Sequence, residues 1–311
     1  MSGFIEKHFL NLILIFAILG FIEPELFVWA KTYIPILLGI IMLGMGMTLN
    51  FSDLWEVRKH PKWIILGAIL QYLVMPVMAI AIGTMLKLPQ EILLGLIIVG
   101  SCPGGTASNV MVYLARAHLP LSITLTLIST LLAPVLTPFW IYFLANEYID
   151  ISFLSLVKTT FWIVVFPLID GLIIRKLFTK KIEPVINIFP SVSIIAIAII
   201  IGCVIGLNQE TLQTFPLLVL VAVVLHNVSG FVSGYTISKL LKFPDNVCKS
   251  IAIEVGMQNS GLGVALALAH FTKLVALPAV LFSIWHNIAG VSLVGFFTRK
   301  SKKKLSASVE R

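Results

Sequence analysis

The sequence predicts an all-α polytopic membrane protein: ten transmembrane helices in two inverted five-helix repeats, with discontinuous helices four and nine. Three observations carry that prediction: an apolar composition, a one-sided distribution of basic residues, and a self-similarity that divides the 311-residue chain near its middle. With 59% hydrophobic and only 12% charged residues, the chain lies outside the range of soluble domains, so lipid must be its main solvent.

Stretches long enough to cross about 30 Å of hydrocarbon fall at residues 8–28, 33–50, 63–85, 92–115 and 120–145. Five more follow at 152–177, 185–206, 214–241, 247–269 and 275–297. The first run, Phe9 to Ile22, lacks a small-residue cleavage site and is followed by equally apolar runs, so it reads as a retained span rather than a signal peptide.

Ten spans put both termini on one side. With the amino terminus inside, all 22 lysines and arginines except Lys31, Lys87, Lys158 and Lys273 become cytoplasmic. These include Lys7, Arg58, Arg116, Arg175, Lys180, Lys181 and the tail from Arg299 to Arg311. Cytoplasmic excess of Lys and Arg sets orientation, so both termini are predicted cytoplasmic. A net charge of +8 would suggest nucleic acid in a soluble protein, but these charges sit at helix ends, so no nucleic acid partner is predicted. Cys102, Cys203 and Cys248 are odd in number and lack metal-ligand spacing, which argues against a disulfide framework or zinc.

The segment HPKWIILGAILQYLVMP from His60 resembles FPLLVLVAVVLHNVSG from Phe215, and LKLP at 86–89 matches LKFP at 241–244. Pro61 and Pro216, Lys87 and Lys242, and Pro89 and Pro244 are all 155 residues apart. A five-span repeat, being odd, places its second copy upside down, an architecture found in many secondary transporters. The predicted division is therefore 1–150 for the first repeat and 151–311 for the second with its basic cytoplasmic tail.

Span four contains SCPGGTASN (101–109), where Pro103 has no amide hydrogen and Gly104 and Gly105 favour helix weakly. Span nine carries EVGMQNSGLG (254–263) at the corresponding place. Irregular backbone at membrane depth is tolerated where it is buried in protein or lines a polar cavity, and paired interruptions mark a transport site. Backbone carbonyls there, with Ser108, Asn109 and Glu254, form an oxygen set suited to a hard cation such as sodium. Ser122 and Thr126 share one face of span five; alone, such hydroxyls bond the preceding turn, but their position beside the break points to the site.

Glu254 is an ionisable group in hydrocarbon, functional by default; the alternative is a protonated acid bonded to a neighbour. Asp170, within FPLIDGLII, either serves the site or pairs with Arg175 at the inner leaflet. Gln71 and its counterpart His226 fit interhelical hydrogen bonding, and His286 and Asn287 are ambiguous until set beside the break of span nine.

GTASNVMVYLA from Gly105, AIEVGMQNSGLG from Ala252 and FSIWHN from Phe282 resemble signatures of the bile acid:sodium symporter family, particularly its bacterial members. The resemblance covers essentially the whole chain. It implies a panel domain of spans one, two, six and seven and a core domain of the remaining six, with spans four and nine crossing where they unwind. It implies a first sodium site of Ser108, Asn109, Ser122, Thr126 and Glu254. A second would use Gln71, Glu254, Gln258 and the carbonyls of Val255 and Met257, with substrate contacts at Thr106, Asn259, His286 and Asn287. The implied function is sodium-coupled symport of an organic anion, bile-acid-like or a small carboxylate such as pantoate, in the bacterial inner membrane. Two sodium ions, the organic anion and membrane lipid are the expected partners, with no obligatory protein partner.

Asp170 departs from the family pattern, and an acid facing the cavity would disfavour a bulky anion. The competing reading is an exporter like the related arsenite and auxin carriers, with Cys102 taking a soft substrate. The spans contain no paired aspartates, HExxH or nucleophile with a matching base, so an enzyme is not expected.

Overall fold

The computed structural model describes residues 8–49, 59–145, 152–178, 183–214 and 216–309. Lys7, Arg58, Lys180, Lys181 and Arg311, used above for orientation, lie outside the described residues, as do the side chains of the basic tail from Arg299 onward. Apart from one isolated backbone bridge, every regular element among the described residues is helical.

The helices in chain order are α1 (Phe9–Ile22), α2 (Glu25–Thr48), α3 (Pro61–Met85), α4 (Gln90–Gly100), α5 (Ala107–Leu114) and α6 (Leu119–Ala145). They continue as α7 (Phe153–Phe178), α8 (Glu183–Leu207), α9 (Pro216–Leu240), α10 (Asp245–Gly256), α11 (Ser260–His270) and α12 (Leu277–Val309). Among the described residues, seven candidate spans are long and apolar enough to cross a membrane, carried by α2, α3, α6, α7, α8, α9 and α12; α1, α4 and α11 are shorter apolar helices. Large apolar side chains such as Leu217 and Leu240 are exposed while Glu254, Gln71 and Gln258 are buried, the reverse of a water-soluble surface.

Two helices widen into a π-type turn, at Leu70–Val74 in α3 and Phe161–Val165 in α7. Each turn is followed at once by a proline, Pro76 or Pro167. Proline has no N–H to offer the carbonyl four residues back, and the wide turn absorbs that lost bond.

The corners between α3 and α4 and between α9 and α10 have one geometry. Lys87 (φ 51°) and Lys242 (φ 59°) both adopt left-handed backbone. Leu88 N–H closes onto Gly83 O at 2.9 Å, as Phe243 N–H does onto Ser238 O at 3.1 Å. Pro89 and Pro244 then enter the next helix with ψ of 145° and 146°.

The helices pack in two dense groups, which α6 joins by lying along α7. α2 lies along α7, and α8 along both α1 and α2. α9 lies along α10, and α12 contacts α4, α5, α9 and α11. Close approach needs small residues: a Cβ on Gly46 of α2 would stand 2.2 Å from Leu168 O of α7.

Candidate functional site

Both predicted interruptions are present. α4 stops at Gly100 and α5 resumes at Ala107; α10 stops at Gly256 and α11 resumes at Ser260. Some of the backbone groups released by each break are satisfied by the other, and others by side chains of neighbouring helices. Gly105 N–H donates to Met257 O at 2.7 Å, Asn259 N–H donates to Pro103 O at 2.8 Å, and Gly104 and Gln258 form an antiparallel bridge. This exchange removes the cost of unpaired peptide groups away from water. It also requires glycine, because a Cβ on Gly105 would stand 2.6 Å from Gln258 O.

Glu254, in the last turn of α10, is buried beside this bridge. Its Oε2 accepts hydrogen bonds from Ser108 Oγ and Ser122 Oγ, both at 2.7 Å, and its Oε1 accepts one from Thr126 Oγ1 at 2.5 Å. The carboxylate thus joins α10 to α5 and to α6. Ser108 Oγ also lies 2.7 Å from Gly105 O, and Thr126 Oγ1 lies 2.9 Å from Ser122 O. A hydroxyl has one hydrogen and two lone pairs, so each can turn its hydrogen to the backbone carbonyl and present oxygen to the centre. Asn109 is half-buried, and its Oδ1 is buried without a hydrogen-bond partner.

Gln71, on the π turn of α3, donates from Nε2 to Cys102 O at 2.9 Å and to Gln258 Oε1 at 2.6 Å, leaving its own Oε1 buried and without a partner. Gln258 Nε2 donates to Val255 O at 3.1 Å. The carbonyls of Val255 and Met257, expected to be free, are therefore each engaged by one donor; a second lone pair remains on each. α9 reaches the other break through Asn227, whose Nδ2 donates to Gly256 O at 2.7 Å. His226 Nε2 lies 2.9 Å from Met75 O, an interhelical tie between α9 and α3.

Beside the crossing is a cavity of about 50 Å³, room for a few water molecules. Thr106, Asn259, His286 and Asn287 all line it, so the four residues expected to touch substrate share one space. The opposite wall is aliphatic, formed by Leu38, Ile41 and Met42 of α2 and Ile197, Ile200 and Ile201 of α8. His286 Nδ1 and Asn287 Oδ1 are buried without partners, whereas Asn259 Oδ1 caps α11 by accepting from Leu262 N–H at 3.2 Å. Asp170 is not part of this lining. Cys102 is likewise absent from it, its thiol turned to Ile98 O at 3.2 Å.

Sequence reasoning missed Tyr72, Ser129, Asn227 and Ser283. Ser129 repeats the helical spacing of Ser122 and Thr126, a signal that was available; Ser283 Oγ lies 2.7 Å from Ser260 Oγ at the cavity wall.

The model of the Sodium Bile acid symporter family matches residues 35–215. The chain belongs to this family. Among the family's relatives, the uncharacterized sodium-dependent transporter YocS of Bacillus subtilis is 46% identical, over 99% of this chain and 96% of its own length. The probable sodium/metabolite cotransporter BASS1, chloroplastic, of Arabidopsis thaliana is 39% identical, over 93% of this chain and 72% of its own length. The BASS2 protein of Oryza sativa, described in the same terms, is 34% identical over 91% of this chain. These relatives are named as transporters, not enzymes, and the family is one of sodium-dependent transport across membranes.

Proposed function

We propose that the protein is a sodium-coupled symporter of a small organic anion, working by alternating access in the bacterial inner membrane with both termini cytoplasmic. The observation that carries the reading is Glu254: a buried carboxylate between two broken helices, surrounded by hydroxyls that can each exchange a donated hydrogen for a lone pair. The first sodium would be held by Glu254, Ser108, Asn109, Ser122 and Thr126. The second would be held by Glu254, Gln71, Gln258 and the remaining lone pairs of Val255 O and Met257 O. The unpartnered oxygens of Gln71 and Asn109 suit this role, because a buried acceptor without a donor costs free energy that a cation would recover.

The anion would occupy the cavity lined by Thr106, Asn259, His286 and Asn287, near the amino ends of α5 and α11, whose dipoles favour negative charge. Solute pockets usually enclose about 300–1,000 Å³, so entry requires α1, α2 and α8 to draw back from the crossing. That motion would be the rocking of a panel (α1, α2, α7, α8) against a core (the remaining helices), with the packed pair α6 and α7 as one seam between them. In this reading α1, the seven long spans and the two broken pairs make ten spans, and the matched corners at Lys87 and Lys242 reflect two inverted repeats, residues 1–150 and 151–311.

Two sodium ions with one monovalent anion would carry one net positive charge, worth about 2.3 kcal/mol per 100 mV of membrane potential. Thermal stabilisation of the purified protein against a panel of organic anions, with and without sodium, tests the assignment. An anion such as pantoate that stabilises only in sodium is expected; full-rate uptake in potassium or choline overturns it.

A further inference from the structure

A buried phenol sits next to the candidate ion site without touching it. Gln71 and Tyr72 follow one another on the π turn before Pro76, and both are buried. Gln71 serves the crossing. Tyr72 OH instead reaches α6 and donates to Ser129 O at 2.5 Å.

Ser129 is a junction. Its Oγ accepts from Gly104 N–H at 3.2 Å and donates to Thr126 O at 3.1 Å. It therefore connects the break after α4 with the turn of α6 that carries Thr126, the donor to Glu254 Oε1. One turn further on the helix ladder is interrupted, since Pro134 lies within α6 and cannot bond Thr130 O. Thr130 Oγ1 is itself turned back onto Thr126 O at 2.6 Å.

We infer that Tyr72 is a positioning residue for the cation: by fixing Ser129, it holds Thr126 and Gly104 at the spacing in which the Glu254 carboxylate can share a sodium ion. The inference rests on the sodium-site reading above. A positioning role sets how tightly sodium binds, and does not set how fast the loaded protein turns over.

The test uses the full chain in proteoliposomes, with Tyr72→Phe and Ser129→Ala, each of which removes a single hydroxyl oxygen. Each should raise the sodium concentration for half-maximal uptake about fivefold, equivalent to about 1 kcal/mol, with maximal uptake within about twofold of the parent. The double variant should be no worse than the weaker-binding single one, since Tyr72 OH to Ser129 O and Ser129 Oγ to Gly104 and Thr126 are successive links of one chain. Lowered melting temperature in sodium-free buffer with unchanged sodium dependence would make Tyr72 a packing residue and overturn the inference. Glu254→Gln separates the two levels. If it abolishes sodium dependence while Tyr72→Phe leaves it intact, the positioning role alone fails; if uptake stays sodium-dependent in Glu254→Gln, the site reading fails with it.

Discussion

A methyl group on Gly104 would stand 2.4 Å from Glu254 Oε1, closer than any carbon and oxygen can rest. The absent side chain at 104 is thus part of the space the carboxylate occupies. Gly104→Ala should displace a carboxylate held by three hydroxyls, raising the sodium half-saturation at least ~10-fold, since bonds to charged groups contribute about 1.5–3 kcal/mol each. Sodium titration of thermal stability measures it, and an unchanged midpoint would refute the coupling.

Gly105→Ala should act differently. Its Cβ would meet Gln258 O at 2.6 Å, a backbone atom that cannot rotate away, so the crossing itself must open. Overpacking of this kind costs about 1–3 kcal/mol. The melting temperature should fall with or without sodium, whereas Gly104→Ala should lose mainly the sodium-dependent part.

Asn109 allows a cleaner separation. Its Oδ1 is buried with no hydrogen-bond donor, so Asn109→Ala removes a desolvated acceptor without breaking a hydrogen bond made by that oxygen. Stability without sodium should hold or rise slightly while sodium affinity falls several-fold. A variant destabilised in both conditions would show that Asn109 serves packing.

Asn287 and His286 should affect the anion instead. Asn287→Ala leaves the Glu254 hydroxyl cluster intact, so the concentration of transported anion for half-maximal uptake should rise roughly tenfold. The sodium-induced shift in melting temperature should be unchanged. Movement of that shift would place Asn287 in the ion machinery.

Cys102→Ser should leave uptake within about twofold of the parent, because the thiol faces Ile98 O and lies outside the cavity lining. Loss of transport would revive the soft-substrate exporter reading.

What the sequence made readable was what violates its apolar background. Glu254, Gln258 and the Gly/Pro runs stand out in hydrocarbon, and the structure brings them together at one crossing. Tyr72 was hidden because a helical wheel assumes 3.6 residues per turn, and the π turn at Leu70–Val74 breaks that count. Ser129 did carry a signal, its helical spacing with Ser122 and Thr126, but a hydroxyl in an apolar helix ordinarily bonds its own backbone, and the tertiary contact with Gly104 N–H is what sets it apart. The engagement of Val255 O and Met257 O was equally out of reach, because a sequence names a carbonyl without saying which donor it meets.

The cavity's unequal walls have an evolutionary consequence. Part of its polar wall, Thr106 and Asn259, sits at the same helix breaks as the candidate ion ligands Ser108 and Gln258, so substitutions there would disturb coupling as well as recognition. Its aliphatic wall, drawn from α2 and α8, carries none of the candidate ion ligands. Exchanges among Leu, Ile, Val and Met on that side could reshape the chamber for a new solute and leave the engine untouched, giving one energy-coupling device many possible cargoes.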